Sequence, residues 1–251
     1  METVKLQLKD QSYTLKESLR ALKTNIQFCG DDKKVILFTS AIPNEGKSTV
    51  VMDLARSLTD SKKSVLVIDA DIRKSVLVGR MRAKVMSGGK EIYGLSHLLS
   101  GQKKMPDILY ASEKTGMFII FAGPSVPNPT EMLEKKYFEE LIEFARDQFD
   151  YVLIDCPPMG AAIDAAVIAK HCDGAIVVAS QGTVSSRGIS SVKRQLENAG
   201  IPILGAVLNK VQMKKNGYYG SYYGGYYGGY YGGYYGGYGS YYGRTEEEEE
   251  S

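Results

Sequence analysis

The chain has 251 residues and is nearly balanced in charge, with 31 Lys and Arg against 29 Asp and Glu. The balance conceals two unlike parts. Residues 217–243 consist only of Tyr, Gly and Ser and hold 13 of the 18 tyrosines and 12 of the 27 glycines, with five glutamates at 246–250, whereas residues 1–216 keep ordinary usage and a net charge of +6. That charge is too diffuse to argue for nucleic acid, and no apolar run approaches the roughly 18 residues of a membrane span. Residues 1–10 mix charges with single apolar side chains and offer no signal-peptide core, so a cytosolic protein is expected, with any membrane role arriving through a partner. Three cysteines, Cys29, Cys156 and Cys172, form no CxxC pair and suggest neither a disulfide framework nor a zinc site.

In chain order, residues 13–28 place Leu15, Leu19, Leu22 and Ile26 at helical spacing, with Glu17, Arg20 and Lys23 on a neighbouring stripe. Short, continuous apolar runs at 35–40, 64–69, 118–121, 151–155, 175–179 and 203–208 read as strands buried on both faces. Helical patterns lie between them at 47–59, at 130–149 with Thr130 as cap, at 161–171 and at 186–199. The stretch 72–116 is less regular and reads as a flexible loop with short helices, one near 95–99. The βαβ succession predicts a doubly wound, mostly parallel sheet flanked by helices. The division expected is an N-terminal helix segment at 1–30, an α/β domain at 31–216 and a tail at 217–251.

Functional residues cluster where predicted strands end. Residues 41–49, Ala-Ile-Pro-Asn-Glu-Gly-Lys-Ser-Thr, fit GxxxxGK[ST] with Ala41 in place of the first glycine. The chemistry needs backbone N–H groups around phosphates, a lysine on the β/γ oxygens, a hydroxyl for Mg²⁺ and a helix N-terminus beneath the anion. A P-loop nucleotide site is therefore expected from Ala41, Asn44, Glu45, Gly46, Lys47, Ser48 and Thr49. The next strand ends in Asp69-Ala70-Asp71, whose alternate side chains share a face, and a later one in Asp155-Cys156-Pro157-Pro158. Carboxylates at this edge of an open sheet suit a hydrated metal, and one of them suits the proton of an incoming nucleophile such as tyrosine, whose hydroxyl has a pKa of about 10. After the last strand, Gln212 stands where guanine readers carry Asp, which favours adenine; Asn209 reads either as a base-edge contact or as a turn residue. Arg73 is open between a phosphate contact, a subunit interface and solvent. Asp164 is open between a supporting role and a first-turn acid, and His97 and His171 read as structural.

The Walker A loop, the second acidic motif Ile68-Asp69-Ala70-Asp71-Ile72-Arg73-Lys74, the motif Ile154-Asp155-Cys156-Pro157-Pro158 and the tyrosine-rich C-terminus together resemble the bacterial tyrosine kinases of capsular and exopolysaccharide synthesis. The likeness is to the form in which the cytoplasmic kinase domain is a polypeptide separate from its transmembrane activator. It implies a P-loop NTPase fold, ATP and Mg²⁺ as cofactors, Lys47 on the phosphates, and Ser48, Asp69 and Asp155 on the metal. Asp69 and Asp71 become the second acidic pair, with Asp71 taking the tyrosine proton. The family's ExxRxxR motif is matched by Glu17, Arg20 and Lys23, implying a ring-shaped homo-oligomer, an octamer by resemblance. A transmembrane polysaccharide co-polymerase as activator, a cognate tyrosine phosphatase and recruitment to the inner face of the cell membrane are implied with it.

The tail then becomes a substrate. Its tyrosines, Tyr218, Tyr219, Tyr222, Tyr223, Tyr226, Tyr227, Tyr230, Tyr231, Tyr234, Tyr235, Tyr238, Tyr241 and Tyr242, recur mostly as pairs every four residues in a segment that cannot bury a core and is expected to be disordered. Thirty-five such residues span roughly 30–35 Å on average, enough to reach a neighbouring subunit. Full phosphorylation would add on the order of −20 to −26 charges, far more than the body's +6. Two rival readings are a partition- or septum-type P-loop ATPase switch without kinase activity, and a Tyr/Gly adhesion module on a nucleotide-binding body. The first calls for a second lysine in a KGGxGK loop, where this chain has Ile42 and Pro43; the second leaves Asp69, Asp71 and Asp155 unexplained.

Overall fold

The computed structural model describes residues 1–88, 91–160 and 163–212, and Met1–Lys210 forms one compact unit. All the tail tyrosines named above lie outside the described residues. The elements in order are β1 (Glu2–Lys5), α1 (Tyr13–Phe28), β2 (Val35–Ser40), α2 (Lys47–Asp60), β3 (Val65–Asp69), α3 (Leu77–Arg80), β4 (Lys84–Val85), α4 (Leu95–Leu99) and α5 (Met105–Ile108). Then come β5 (Leu109–Ser112), β6 (Phe118–Ile120), α6 (Pro129–Leu133), α7 (Lys136–Gln148), β7 (Tyr151–Asp155), α8 (Asp164–Ala169), β8 (Gly174–Ser180), α9 (Ser186–Asn198) and β9 (Ile203–Asn209).

The strands form one sheet in the order β4-β1-β5-β6-β3-β7-β2-β8-β9. Its run from β6 to β9 is parallel throughout, and antiparallel pairing occurs at β1/β4 and β5/β6. All six residues of β2 are buried. Val35 and Leu37 enter a core shared with α7, α8 and α9, while Ile36 and Phe38 enter the opposite core beneath α1 and α2. Continuous apolarity in the sequence thus reflects two covered faces, as the parallel sheet requires. The sheet also sets the site by register: Asp69 and Asp155 are direct partners at the C-terminal ends of β3 and β7.

Four local differences from the sequence reading have physical reasons. β1 gave no signal because only Val4 of its four residues is buried. β5 lies inside the stretch read as loop and short helices, and pairs with both β1 and β6. The helix expected at 130–149 is two helices, since Lys135 turns extended (φ −71°, ψ 151°) between α6 and α7. Thr130 is not a cap: Asn128 precedes Pro129 at the first helical position, a start that proline's fixed φ favours, and the Thr130 hydroxyl serves Asp164 instead. Among the described residues, no helix is long and apolar enough to cross a membrane.

Candidate active site

β2 delivers the chain into the phosphate loop and α2 takes it away. Within the loop, Glu45 turns inward. Its carboxylate accepts hydrogen bonds from the backbone N–H groups of Ala41 (2.9 Å), Ile42 (3.1 Å) and Ser180 (3.0 Å), and the residue is 2% exposed. The Ala41 N–H, expected at the nucleotide, is therefore aimed together with that of Ile42 at Glu45, which braces the loop between its own start and the end of β8. Asn44 (φ 67°) and Gly46 (φ 86°) take left-handed conformations, whereas Ala41 is not among the residues at positive φ, so alanine there carries no left-handed strain. A Cβ on Gly46 would lie 2.2 Å from Asn209 Nδ2. Asn209 Nδ2 donates to the Glu45 carbonyl at 2.9 Å, and Lys210 Nζ donates to the Asn44 carbonyl at 2.6 Å. The Asn209 side chain, open in the sequence between base contact and turn former, straps the loop from the end of β9. Ser48 is half-buried and Thr49 exposed on the first turn of α2.

Beneath the loop lie the acids. Lys47 Nζ donates to Asp155 Oδ1 in a buried ion pair. Asp69, only 1% exposed, stands beside Asp155, so two buried carboxylates face one buried ammonium. Burial above all, and then the Asp155 charge, push the Asp69 carboxyl up to about 7, against the opposing pull of the Ser75 hydroxyl, Lys47 and the Asp71 N–H. Asp71 does not share this burial. It is partly exposed, its N–H donates to Asp69 Oδ1 at 3.3 Å, and its own Oδ1 accepts from Lys74 N at 3.0 Å. No group of three or more His, Cys, Asp or Glu poised to hold a metal occurs among the described residues. A cation here would need the Ser48 hydroxyl and phosphate oxygens besides Asp69 and Asp155, the pattern Mg²⁺ favours.

Two residues left open in the sequence meet each other. Arg73 donates from Nε to Asp164 Oδ2 (2.5 Å) and from Nη2 to Oδ1 (2.9 Å). Thr130 Oγ1 donates to the same Oδ1 at 2.6 Å, and the Asp164 carboxylate is fully buried. On α1, Glu17 and Arg20 pair on the exposed face, while Lys23 Nζ donates to Ser61 Oγ at 2.6 Å. His97 Nδ1 accepts from Gly94 N at 3.1 Å in a buried setting. Sequence reasoning missed Ser75, whose hydroxyl donates to Asp69 Oδ2, because nothing in its neighbours distinguishes it from a turn serine.

Comparison with known proteins decides the family. The AAA domain family matches residues 33–201. Tyrosine-protein kinase CpsD of Streptococcus agalactiae serotype III (strain NEM316) is 39% identical over 201 residues, which cover 80% of this chain and 84% of the relative. The chain belongs to the bacterial tyrosine-protein kinases. The solved kinase domain of Escherichia coli tyrosine kinase ETK superposes with a TM-score of 0.73 at 32% identity, covering 81% of this chain and 79% of that one. The septum site-determining protein MinD from Pyrococcus horikoshii OT3 gives a TM-score of 0.60 at 24% identity, over 72% of each chain, a likeness of fold alone. As a bacterial tyrosine kinase on a P-loop fold, the chain uses a nucleotide, and the septum-type ATPase reading is not favoured.

Proposed function

We propose that this kinase transfers the γ-phosphoryl group of ATP to tyrosine hydroxyls, foremost those in the tails of neighbouring copies, and thereby regulates capsular or exopolysaccharide synthesis and export. One observation carries the reading: Lys47, Asp155 and Asp69 meet beneath a phosphate loop in a chain that bears its own tyrosine array. Lys47 neutralises phosphate charge. Ser48, Asp69 and Asp155 would hold Mg²⁺, whose two charges offset the surplus carboxylate and which, when bound, screens the transferring oxygens. The tyrosine oxygen forms a bond to the γ-phosphorus as the bond to the β–γ bridging oxygen breaks and ADP departs, and Asp71 receives the phenolic proton. The thirteen tail tyrosines from Tyr218 to Tyr242 are the intended acceptors.

The same reading extends to assembly. Glu17, Arg20 and Lys23 would join copies into a ring, a transmembrane co-polymerase would activate the kinase and recruit it to the inner face of the membrane, and a cognate phosphatase would reset the tail. Accumulated phosphate charge would expel tails from neighbouring sites and loosen the ring; a phosphorylated sample eluting at the unmodified size would refute that step.

The kinase reading is tested by incubating the protein with ATP and Mg²⁺ beside a Lys47→Met variant and mapping phosphotyrosine by mass spectrometry. Modification of residues 218–242 in the wild type and its loss in the variant is expected. A clean tail, even with an activator fragment present, would sink it.

A further inference from the structure

The turn between β3 and α3 carries Asp71 and is fixed at two points. On one side it grips the buried Asp69, through the Asp71 N–H and through the Ser75 hydroxyl, which in turn accepts from Leu77 N at 3.1 Å. On the other side Arg73 reaches across the edge of the sheet to Asp164 on the first turn of α8 and to Thr130 on α6, whose Oγ1 accepts from Arg73 Nη2 at 3.1 Å. Between these anchors the Ile72 carbonyl accepts from Val126 N at 3.2 Å. Asp71 thus carries part of the first anchor on its own N–H and lies two residues before the second, on a backbone tied to the segments that follow β6 and β7.

We propose that Arg73, acting through Asp164 and Thr130, is a positioning residue for the acceptor half of the reaction: it holds the Asp71 turn where an incoming tyrosine must be met. This deepens the kinase reading and rests on it. The fork geometry matters, because a guanidinium satisfies both oxygens of the Asp164 carboxylate at fixed spacing while an ammonium meets them one at a time. Asp164 is buried and cannot turn to water for a substitute, so the Thr130 hydroxyl is part of the same joint. The bonds that shape the phosphate loop come instead from Glu45, Asn209 and Lys210. Disturbing the joint should therefore slow transfer to tyrosine without weakening ATP.

The test uses the full chain with Arg73→Lys, Thr130→Val and Thr130→Ser, a synthetic peptide of residues 217–243 as acceptor, and ATP with Mg²⁺. In Arg73→Lys and Thr130→Val, kcat for peptide phosphorylation is expected to fall about 10–100-fold, the range a misplacement of about 1 Å produces, while the Kd for ATP stays within about twofold of the wild type. Thr130→Ser, which keeps the hydroxyl, is expected to retain wild-type kcat. Unchanged kcat in Arg73→Lys, an ATP Kd that rises in step with the loss, or Thr130→Ser as impaired as Thr130→Val would each overturn the proposal. Amide hydrogen exchange gives a second readout that does not need transfer. The Asp71 and Lys74 amides should lose protection in Arg73→Lys, and unchanged protection would also overturn it. If the wild type leaves the peptide unphosphorylated even with an activator fragment present, the kinase reading fails by itself and exchange alone decides the positioning claim.

Discussion

The phosphate loop at 41–49 and the acidic turn at 70–76 stand at the same edge of one sheet, yet they are anchored to different parts of the domain. The loop is tied to itself by Glu45, which folds back on Ala41 and Ile42, and to the ends of neighbouring strands, where Ser180 N donates to Glu45 and Asn209 and Lys210 donate to the Glu45 and Asn44 carbonyls. The turn grips Asp69 locally, and its long-range tie runs to helices, by Arg73 on Asp164 of α8, 91 positions away, and on Thr130 of α6, 57 positions away. The acceptor side must hold its place against an incoming tyrosine, and its tie runs through the helices that follow β6 and β7.

The sharpest break of the donor side is Lys47→Met. Phosphotransfer should drop by at least about 10³-fold, since the charge opposite the transferring phosphoryl group is lost. The change also leaves Asp155 and Asp69 buried without their cation, at a cost of about 3–5 kcal/mol. Urea unfolding should show that loss, and a variant as stable as the wild type would mean the ion pair is dispensable in the absence of nucleotide.

Next in size is Glu45→Gln. Three backbone N–H groups converge on the carboxylate, and an amide can accept through one oxygen only, so about 1–3 kcal/mol of stability should go with a roughly tenfold weaker ATP affinity. The comparison is sharpened if the Asp71 and Lys74 amides keep their exchange protection in this variant. Loss of protection there would show the two sides to be one unit.

The same contrast explains what could be read from the sequence. The GxxxxGK[ST] spacing is legible because its parts are contiguous, and β2, β3 and β7 are legible because nearly every residue in them is buried. The inward turn of Glu45 is not legible: a loop glutamate four residues from Ala41 reads equally as a solvated charge. β1 escapes notice because one buried valine makes no run, and the break at Lys135 carries neither Gly nor Pro. Arg73 and Asp164 were each visible, but their joining depends on how α6 and α8 are brought together beside the turn after β3, and no local pattern encodes that.

The smallest expected effect concerns Asp69, where the two sides touch. Its carboxyl has an ordinary value of 3.8 and is pushed up to about 7 in the folded protein. Between those values the native state binds more protons than the unfolded chain, so this group's contribution to stability is fully present below about pH 4, declines as pH rises and is gone above about pH 7. Asp69→Asn removes the dependence. Its amide oxygen can still accept from the Asp71 N–H, and the Ser75 hydroxyl can rotate to accept from its NH₂. Without nucleotide or metal, the variant should match the wild type near pH 3.5 and exceed it above pH 7 by at least about 1 kcal/mol, a gain of about 2–4 °C in Tm for a domain of this size. Adding Mg²⁺ at pH 7.5 should narrow that gap by stabilising the wild type more than the variant, which keeps Asp155 but lacks the second carboxylate. A gap independent of both pH and Mg²⁺ would place the cost of Asp69 in packing and would separate it from the donor side altogether.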